Sequence, residues 1–485
     1  MATRIWTRAS VTPTILARAS GIDDAEIMSE ILTMLSRELG EDAVLDGPDV
    51  SDRYAVDVSG ENPHKPIAVV LPRSTEDVAT ILKHCSEARQ PVVVQGGLTG
   101  LAGGATPQAG ELALSLERMS GVESLDRASM TLTALSGTPL QVIQEAAEEA
   151  GLLFPLDLGA RGTCQLGGLI ATNAGGNQVI RFGMTRNLVL GLEAVLADGT
   201  VISSMNRMLK NNAGYDLKQL FIGTEGTLGV VTRAVLRLFP RLPGKCTALC
   251  ALASFADVVE LLRVVQTNIG GSLSAYEVMW ASYFDYVIDH VETLRSPFEQ
   301  TYPLYALIET EGADSAHDAE RFESTLGSAL ESSVIQDAVI AQSQKDVQTF
   351  WAIRDGVAEI TSDLMPYASL DVSMTVADMP SFLDQVDKEL AARFNPVTNL
   401  VFGHVGDNNL HLFITTGRET DIEPILDTVY KITGDYQGSV SAEHGIGALK
   451  REYLHYSRSD EELELMRRLK RTLDPDGILN GGRVI

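Results

Sequence analysis

Three glycine-rich segments constrain what this chain can fold into more than any other feature of its sequence. They are QGGLTGLAGG at 95–104, GARGTCQLGGLIATNAGG at 159–176 and GTEGTLG at 223–229. Glycine lets backbone N–H groups approach an anion closely, and successive amides form a nest for it. The first segment is neither a GxGxxG fingerprint nor a GxxxxGK[ST] phosphate loop. Tight turns of a β-rich domain would explain any one segment, but three together favour a clamp around one extended ligand.

The composition is that of a folded protein with two or three domains. The chain has 485 residues, of which 45% are hydrophobic and 21% charged, and about 150 residues per domain is usual. The 65 acidic and 38 basic residues give a net charge of -27, which disfavours nucleic acid as a partner. No apolar run approaches the roughly 20 residues that span a bilayer, so no transmembrane segment is expected.

The cysteines and the N-terminus bear on the compartment. Four scattered cysteines do not make a disulfide framework and favour a reducing compartment, so we expect a cytoplasmic protein. The first 22 residues contain Arg4, Arg8 and Arg18 and no acidic residue. This weakly resembles a transit peptide, which makes a mitochondrial location the alternative. The plainer interpretation is a loose extension before a helix at 24–38.

Apolar periodicity predicts an α+β fold with four regions. Residues 1–64 are predicted to form an N-terminal helical extension, and 65–240 begin with a βαβ unit whose helix has Thr75 and Asp77 at its N-terminus. Prolines near 241 mark a boundary. Residues 241–435 are predicted to form a sheet with helices on one face. Residues 436–485 form a C-terminal segment with an amphipathic helix.

A second constellation of polar residues lies in GHVGDNNLH at 403–411 and in Glu443-His444. Two imidazoles and a carboxylate, with positions left open, suit a catalytic divalent ion. His404, His411 and Glu443 are therefore the predicted ligands, and His444 remains as a base beside the metal. The alternative is that these histidines are structural.

Several segments together resemble the FAD-dependent D-2-hydroxy acid dehydrogenases of the vanillyl-alcohol-oxidase fold. The resemblance is strongest to the D-2-hydroxyglutarate dehydrogenase branch, with D-lactate dehydrogenases as further relatives. It extends from about residue 65 to the C-terminus. The segments that carry it are PLDLGARGTCQLGGLIATNAGG, KNNAGYDLKQLFIGTEGTLGVVT, GHVGDNNLH, SAEHGIG and LDPDGILN.

The resemblance implies an FAD-binding domain at 65–240, a substrate or cap domain at 241–435 and a C-terminal segment at 436–485 that returns to the flavin. No histidine lies between Gln95 and Thr106, so the FAD is expected to be bound without a covalent link. The residues implied in FAD binding are Gly96, Gly97, Leu98, Thr99, Gly100, Gly103, Gly104, Pro155, Gly162, Thr163, Gly167, Gly168, Ala171, Thr172, Asn173, Gly175, Gly176, Glu225, Gly226, Gly229, Val230 and Asn480.

The resemblance also implies the chemistry, which is oxidation of a D-2-hydroxy acid to the 2-oxo acid. Zinc or a similar divalent ion would occupy the residues that match His404, His411 and Glu443. His444 would accept the hydroxyl proton, and Arg354 would bind the C1 carboxylate. Electrons would pass from the flavin to an electron-transfer flavoprotein or a quinone-linked carrier. Whether the chain forms a homodimer stays open.

Three positions depart from the hydroxyglutarate branch. This chain has Ser369 where the branch has lysine, Ala358 where it has threonine and Phe413 where it has asparagine. A distal carboxylate would lose its partners there, and its unpaired burial would cost several kcal/mol. We therefore expect D-2-hydroxy acids with apolar or aromatic side chains to be preferred over hydroxyglutarate as substrates. Arg161 or Lys210 could supply a replacement cation.

Two rival functions follow from the same features. A true oxidase would pass its electrons to dioxygen, and peroxide per turnover distinguishes it from a dehydrogenase. A flavin-free metal-binding module would need only the histidines and the acidic residues, and it would be colourless. The second rival leaves three glycine-rich segments unexplained.

Overall fold

The computed structural model describes residues 24–485, with side chains from residue 28 onward. The first 22 residues, with their transit-peptide-like arginines, lie outside the described residues. Within the described part, none of the helices has both the length and the apolar character needed to cross a membrane. The helices are α1 Asp24–Leu39, α2 Thr75–Ala88, α3 Leu140–Glu149, α4 Leu166–Thr172, α5 Val179–Phe182, α6 Thr185–Leu188, α7 Phe255–Ile269, α8 Ala281–His290, α9 Ser315–Glu331, α10 Gln344–Arg354, α11 Val357–Leu364, α12 Met379–Arg393, α13 Ile422–Asp435 and α14 Asp460–Leu473.

The strands form three main sheets and one short pair. They are β1 Val44–Asp46, β2 Ala68–Val70, β3 Val92–Gln95, β4 Leu112–Ser115, β5 Val122–Asp126, β6 Thr131–Leu135, β7 Leu152–Leu153, β8 Val189–Val195, β9 Val201–Ser204, β10 Val230–Arg237, β11 Phe239–Pro240, β12 Gly244–Leu252, β13 Leu273–Trp280, β14 Leu304–Gly312, β15 Asp337–Ile340, β16 Ala368–Ser373, β17 Thr398–Gly403 and β18 Asn409–Thr415. The short pair joins β11 and β7.

The first sheet has the order β1-β2-β4-β3, with β2, β4 and β3 parallel. Helix α2 connects β2 to β3, as the βαβ prediction requires, and buries Val78, Ile81 and Cys85 against the sheet. Its N-cap is Ser74 rather than Thr75, since the Ser74 hydroxyl accepts from the amide of Asp77 and the Asp77 carboxylate accepts from the amide of Ser74. This capping box satisfies two amides at the helix start.

The N-terminal region is more than a helical extension. Strand β1 pairs antiparallel with β2 and so adds an edge to the first sheet. Helix α1 buries Ile31 and Leu35 in the core beneath α2. From about residue 28 onward, this region therefore belongs to the same hydrophobic core as the residues that follow it.

The second sheet is antiparallel, with the order β5-β6-β10-β8-β9. Helices α3 and α4 cover it and bury Leu140, Ile143 and Ile170. The second and third glycine segments flank this sheet, because α4 lies within one and β10 begins directly after the other. Both segments therefore adjoin this sheet.

The third sheet has seven strands in the order β15-β12-β14-β13-β17-β18-β16, all antiparallel. Its helices cover both faces, whereas the sequence predicted one. One core joins α7, α9, α12 and α13 to the sheet, and a separate core joins α8, α10 and α11 to the opposite face. The reason is that strands such as β14 are buried along almost their whole length rather than at alternate residues, which is the pattern of a sheet covered on both sides.

The C-terminal segment returns to the first sheet. After α14, the amide of Val92 donates to the carbonyl of Ile478, and the amide of Asn480 donates to the carbonyl of Val92. Ile478 and Leu479 are buried in the same core as α2. The last residues of the chain thereby lie beside β3, just before the first glycine segment begins.

Candidate active site

The three glycine segments surround one cavity of about 340 Å³. Sixteen of the predicted FAD-binding residues line it: Gly96, Gly97, Leu98, Thr99, Gly100, Gly104, Gly167, Gly168, Ala171, Thr172, Gly175, Glu225, Gly226, Gly229, Val230 and Asn480. Six others are not part of its lining: Gly103, Pro155, Gly162, Thr163, Asn173 and Gly176. The three segments that the sequence singled out therefore converge, as the clamp hypothesis predicted.

Two of these glycines serve different physical purposes. A Cβ on Gly97 would lie 2.0 Å from the carbonyl oxygen of Thr163, so the first two segments pack backbone against backbone at this point. A Cβ on Gly168 would have no heavy atom within 4 Å. Gly168 instead leaves space in the cavity itself, which suits a ligand that approaches the backbone closely.

Three polar side chains that the sequence analysis did not select also line the cavity. Asp57, Ser136 and Gln165 each present a buried oxygen that has no hydrogen-bond partner among the described residues. Buried polar atoms normally have partners, and a cofactor rich in hydroxyl and N–H groups, such as FAD, would supply them. The residues present therefore fit FAD. Glycine patterns emphasise backbone and gave no signal for these side chains.

Two predicted FAD contacts use their polar groups within the protein. The Glu225 carboxylate accepts from the amides of Ile446, at 2.7 Å, and Gly447, at 2.8 Å. The Asn480 side chain accepts from the amide of Val94 at 2.8 Å and donates to the carbonyl of Glu225. Both residues thus tie the C-terminal segment to the cavity wall as well as lining it.

The three predicted metal ligands lie together. His404 follows β17 directly, His411 lies on β18, and Glu443 comes from the segment after α13. One ligand atom from each lies within 4.8 Å of the others, and His404 Nε2 is 3.9 Å from Glu443 Oε2. Two nitrogens and one oxygen with an open side form a donor set that suits catalytic zinc.

Arg354 adjoins this cluster at the end of α10. Its Nε donates to Glu277 Oε2 at 2.9 Å, its Nη1 to Asp355 Oδ1 at 3.1 Å, and its Nη2 lies 2.9 Å from His404 Nε2. The guanidinium also lies over the ring of Phe402, 5.3 Å from the centroid. Arg354 is therefore buried and held rigidly beside the predicted ligand His404.

Charges around His404 and Glu277 stabilise each other. Burial raises the pKa of Glu277, but His404 and Arg354 outweigh it and lower that pKa to about 2. Burial also opposes a charge on His404, while Glu277 raises the pKa of the imidazole to about 9. Glu277 was not selected from the sequence, where it is a single acidic residue within a β-strand pattern.

His444 lies on the cavity side of the cluster. Its ring stacks on that of His411 with 5.9 Å between centroids, and burial lowers its pKa below 6.5. The amides of Glu443 and His444 both donate to Asp371 Oδ2 at 2.9 Å. Burial opposes the charge of Asp371, but His444, Lys450 and His411 hold its pKa far below the usual range. Asp371 thus anchors the segment that carries both Glu443 and His444.

Comparison with known proteins identifies the family. Residues 66–204 match the family described as FAD binding domain, and residues 243–484 match FAD linked oxidases, C-terminal domain. D-2-hydroxyglutarate dehydrogenase of Bos taurus is 41% identical over 416 residues, covering 85% of this chain and 75% of that protein. The corresponding enzyme of Xanthomonas citri is 37% identical over 426 residues, covering 86% and 89%.

Among solved structures, p-cresol methylhydroxylase has the same fold, with a TM-score of 0.75, 15% identity and coverage of 96% of this chain and 98% of that one. 4-Ethylphenol oxidase from Gulosibacter chungangensis has a TM-score of 0.69, 17% identity and coverage of 95% and 97%. At these identities the likeness concerns the fold, and it confirms the predicted α+β, vanillyl-alcohol-oxidase type.

The expectation of a cytoplasmic protein is wrong. Relatives from Arabidopsis thaliana, Bos taurus, Danio rerio and Rattus norvegicus are named mitochondrial D-2-hydroxyglutarate dehydrogenases, and these names contradict it. The argument from the cysteines failed because free thiols show only that a disulfide framework is absent. They do not specify an organelle, whereas targeting segments do.

The glycine-lined cavity, the two FAD-linked domain matches and relatives at 37–41% identity over most of their length together show that the chain belongs to the FAD-dependent D-2-hydroxy acid dehydrogenases, flavoenzymes of the vanillyl-alcohol-oxidase fold.

Proposed function

We propose that this protein oxidises a D-2-hydroxy acid at a site shared by FAD and a divalent metal ion, with zinc as the metal. The observation that carries the proposal is the position of Glu443 and His444. Both line the cavity built from the glycine segments, and both belong to the histidine and carboxylate cluster. A substrate beside Glu443 and His444 would contact the FAD and the metal ion at the same time. When bound, FAD accepts a hydride and the metal polarises the substrate hydroxyl.

Arg354 holds the C1 carboxylate in this proposal. A guanidinium pairs well with a carboxylate, because its N–H groups form a planar fork. Two of its nitrogens, Nη1 and Nη2, now contact Asp355 and His404. His404 Nε2 has one lone pair, so it cannot ligate a metal and accept from Arg354 together. With His404 Nε2 engaged in ligation, Arg354 Nη2 would be available to the substrate carboxylate.

His444 acts as the base that takes the hydroxyl proton. Burial lowers its pKa, which favours the neutral ring that can accept a proton. Asp371 keeps the backbone of His444 in place through the amide contact. Phe402 lies opposite His411 on the neighbouring strand β17. Its ring helps to exclude water from the face of the sheet that bears His411.

The test of the base is His444→Asn. We expect flavin reduction to slow by about 100-fold to 10,000-fold, the usual contribution of a general base, with FAD and metal contents unchanged. His84→Asn is the control, because His84 lies on α2 and contacts Glu38 rather than the site. Near-native flavin reduction by His444→Asn, measured by anaerobic stopped flow, would remove His444 from the mechanism.

We propose that the substrate side chain is apolar or aromatic. Phe413 pairs with Ser369 across β18 and β16, two residues from the pair of His411 and Asp371. Residues two apart on a strand share a face, so Phe413 and Ser369 continue the face that bears the cluster. The rings of Tyr367 and Phe402 lie 5.4 and 6.0 Å from that of Phe413.

This aromatic wall, formed by Tyr367, Phe402 and Phe413, provides no cation for a second carboxylate. The names of the relatives make D-2-hydroxyglutarate the competing substrate, and D-lactate is suggested by a putative D-lactate dehydrogenase of Schizosaccharomyces pombe at 35% identity. A site that leaves a polar group unpaired discriminates strongly against it. We therefore expect a higher kcat/KM for an apolar D-2-hydroxy acid than for hydroxyglutarate.

The matched test is a triple variant, Ala358→Thr, Ser369→Lys and Phe413→Asn, which introduces the side chains of the hydroxyglutarate branch. It should raise kcat/KM for D-2-hydroxyglutarate and lower it for the apolar acid. A clear preference of the unmodified protein for hydroxyglutarate would overturn the substrate proposal. It would not affect the proposals for the metal ligands, the base and Arg354.

For the cofactor and the acceptor, we propose non-covalent FAD and transfer of electrons to a separate carrier, an electron-transfer flavoprotein or a quinone-linked protein. Denaturation should release intact FAD into the supernatant, because no histidine is available in the first glycine segment. Turnover in air should produce little peroxide. FAD that stays with the precipitated chain, or one peroxide per turnover, would contradict these two points respectively.

A further inference from the structure

We propose that Glu277 is a positioning residue whose single carboxylate sets both the metal-binding tautomer of His404 and the orientation of Arg354. The inference rests on the proposed function and deepens it, because it names a residue behind the metal and substrate contacts. Glu277 touches neither centre itself.

The geometry assigns one carboxylate oxygen to each partner. His404 Nδ1 donates to Glu277 Oε1 at 2.7 Å, and Arg354 Nε donates to Glu277 Oε2 at 2.9 Å. The Glu277 side chain is 1% exposed. It lies on β13, a strand with neighbours on both sides in the seven-stranded sheet. Both partners are therefore held from a rigid element behind the site.

The contact to His404 decides which ring nitrogen carries the proton. An ionised carboxylate only accepts hydrogen bonds, so Nδ1 must keep its hydrogen. Ligation requires the ring to lose its second proton, and with Nδ1 held as a donor that proton leaves from Nε2. Nε2 is the atom that faces Glu443. A histidine that binds a metal through one nitrogen commonly donates the other N–H to a carboxylate in this way.

The contact between Glu277 and Arg354 Nε directs the two terminal nitrogens of the guanidinium towards the site. Because Nε is held by Glu277, the plane of the guanidinium is defined, and Nη1 and Nη2 point away from β13 towards Asp355 and His404. Metal affinity and substrate affinity should therefore both depend on the Glu277 carboxylate, although it contacts neither the metal nor the substrate.

Glu277→Gln tests the proposal, because an amide cannot accept from both partners. If its oxygen accepts from Arg354, its NH₂ faces His404 Nδ1 and favours the tautomer with hydrogen on Nε2, which cannot ligate. If the amide is turned over, its NH₂ opposes the Nε–H of Arg354. We expect the zinc affinity, measured by chelator competition, to fall by about 10-fold to 100-fold, and KM to rise.

Glu309→Gln is the matched control. Glu309 lies on the adjacent strand β14, faces the same side of the sheet and is 3% exposed. Its carboxylate contacts Thr247, Trp351 and Lys245, outside the site. Zinc affinity and KM should match those of the unmodified protein. If Glu277→Gln does not fold, Glu277→Asp keeps an acceptor at both oxygens and should retain more zinc affinity than Glu277→Ala.

The outcomes separate this inference from the proposed function. A folded Glu277→Gln variant with native FAD content, zinc affinity and KM would overturn the positioning role, and so would equal zinc affinities for Glu277→Asp and Glu277→Ala. If His404→Ala also leaves zinc binding unchanged, the metal site itself is wrong. If His404→Ala abolishes binding and Glu277→Gln weakens it, both proposals are supported.

Discussion

Gly175 and Gly176 contact the cluster of His404, His411 and Glu443 from the side of the cavity. The amide of Gly176 donates to Glu443 Oε1 at 3.0 Å, and a Cβ on Gly175 would lie 2.4 Å from the same oxygen. The second glycine segment therefore holds a predicted metal ligand as well as lining the cavity. One hydrogen bond, from the Gly176 amide to Glu443, therefore joins the glycine-lined cavity to the histidine and carboxylate cluster.

Gly175→Ala should displace the Glu443 carboxylate, since the methyl group and Oε1 cannot occupy the same space. The carboxylate lies at the end of a flexible side chain, so we expect the fold to survive and the zinc affinity to fall by about tenfold or more. Chelator competition measures this. Gly271→Ala is the control, because a Cβ there has open space. Equal zinc affinities would show that Glu443 is not a ligand in this position.

The cysteines should be inert in the folded protein, apart from Cys246. Burial raises the pKa of Cys85 and of Cys250 to about 12, and that of Cys164 to about 11. Only the thiolate reacts with disulfide reagents. At pH 8 we expect one thiol at most to react quickly, and all four to react in denaturant. Rapid labelling of Cys85 in the native protein would contradict its burial.

At the scale of elements, α9 shows how a helix on the outer layer is stabilised locally. The Asp314 carboxylate accepts from the amides of Ala316 and His317 and caps its first turn. The buried positions of the helix, including Phe322 and Leu326, face the sheet. Gly327 lies on the exposed side of this helix with open space around it.

Gly327→Ala should therefore stabilise the protein. Glycine in a helix interior costs about 0.5 to 1 kcal/mol relative to alanine because of its greater freedom when unfolded. The methyl group meets no heavy atom within 4 Å, so no clash offsets the gain. We expect a higher urea midpoint with unchanged activity. A lower midpoint would show that the exposed face of α9 is packed against something.

At the scale of the whole molecule, the C-terminal residues bind to the segment that follows the first glycine segment. Arg483 is fully buried, and its guanidinium donates to both oxygens of Glu111, at 2.5 and 2.7 Å, and to the carbonyl of Thr106. Residues 106 and 111 follow the first glycine segment. The final residues of the chain thereby fasten the loop that leads out of the cavity.

Arg483→Met should lower stability strongly, because it leaves the Glu111 carboxylate buried without its cation. Removal of one partner from a buried ion pair costs about 3 to 5 kcal/mol, so we expect a clear fall in Tm and weaker FAD retention. Arg468→Ala breaks an exposed pair with Glu464 on α14 and should leave Tm almost unchanged. Similar Tm values for the two variants would show that the C-terminus is not fastened in this way.

The family, the three glycine segments, the predicted ligands and the place of the β-rich regions could all be predicted from the amino-acid sequence. These features are local: each depends on residues close together in the chain, such as Gly96 and Gly97 or Glu443 and His444, and short motifs of this kind keep their meaning before the chain folds.

The residues that surround those motifs could not be predicted, because they come from distant parts of the chain. Glu277 meets His404 across 127 residues and Arg354 across 77, and Asp371 meets His444 across 73. Asp57 reaches the cavity from a region predicted to be an extension, and the seven-stranded sheet is covered on both faces rather than one. A buried charge is stabilised by its neighbours in space, and strand pairing brings those neighbours from distant parts of the chain.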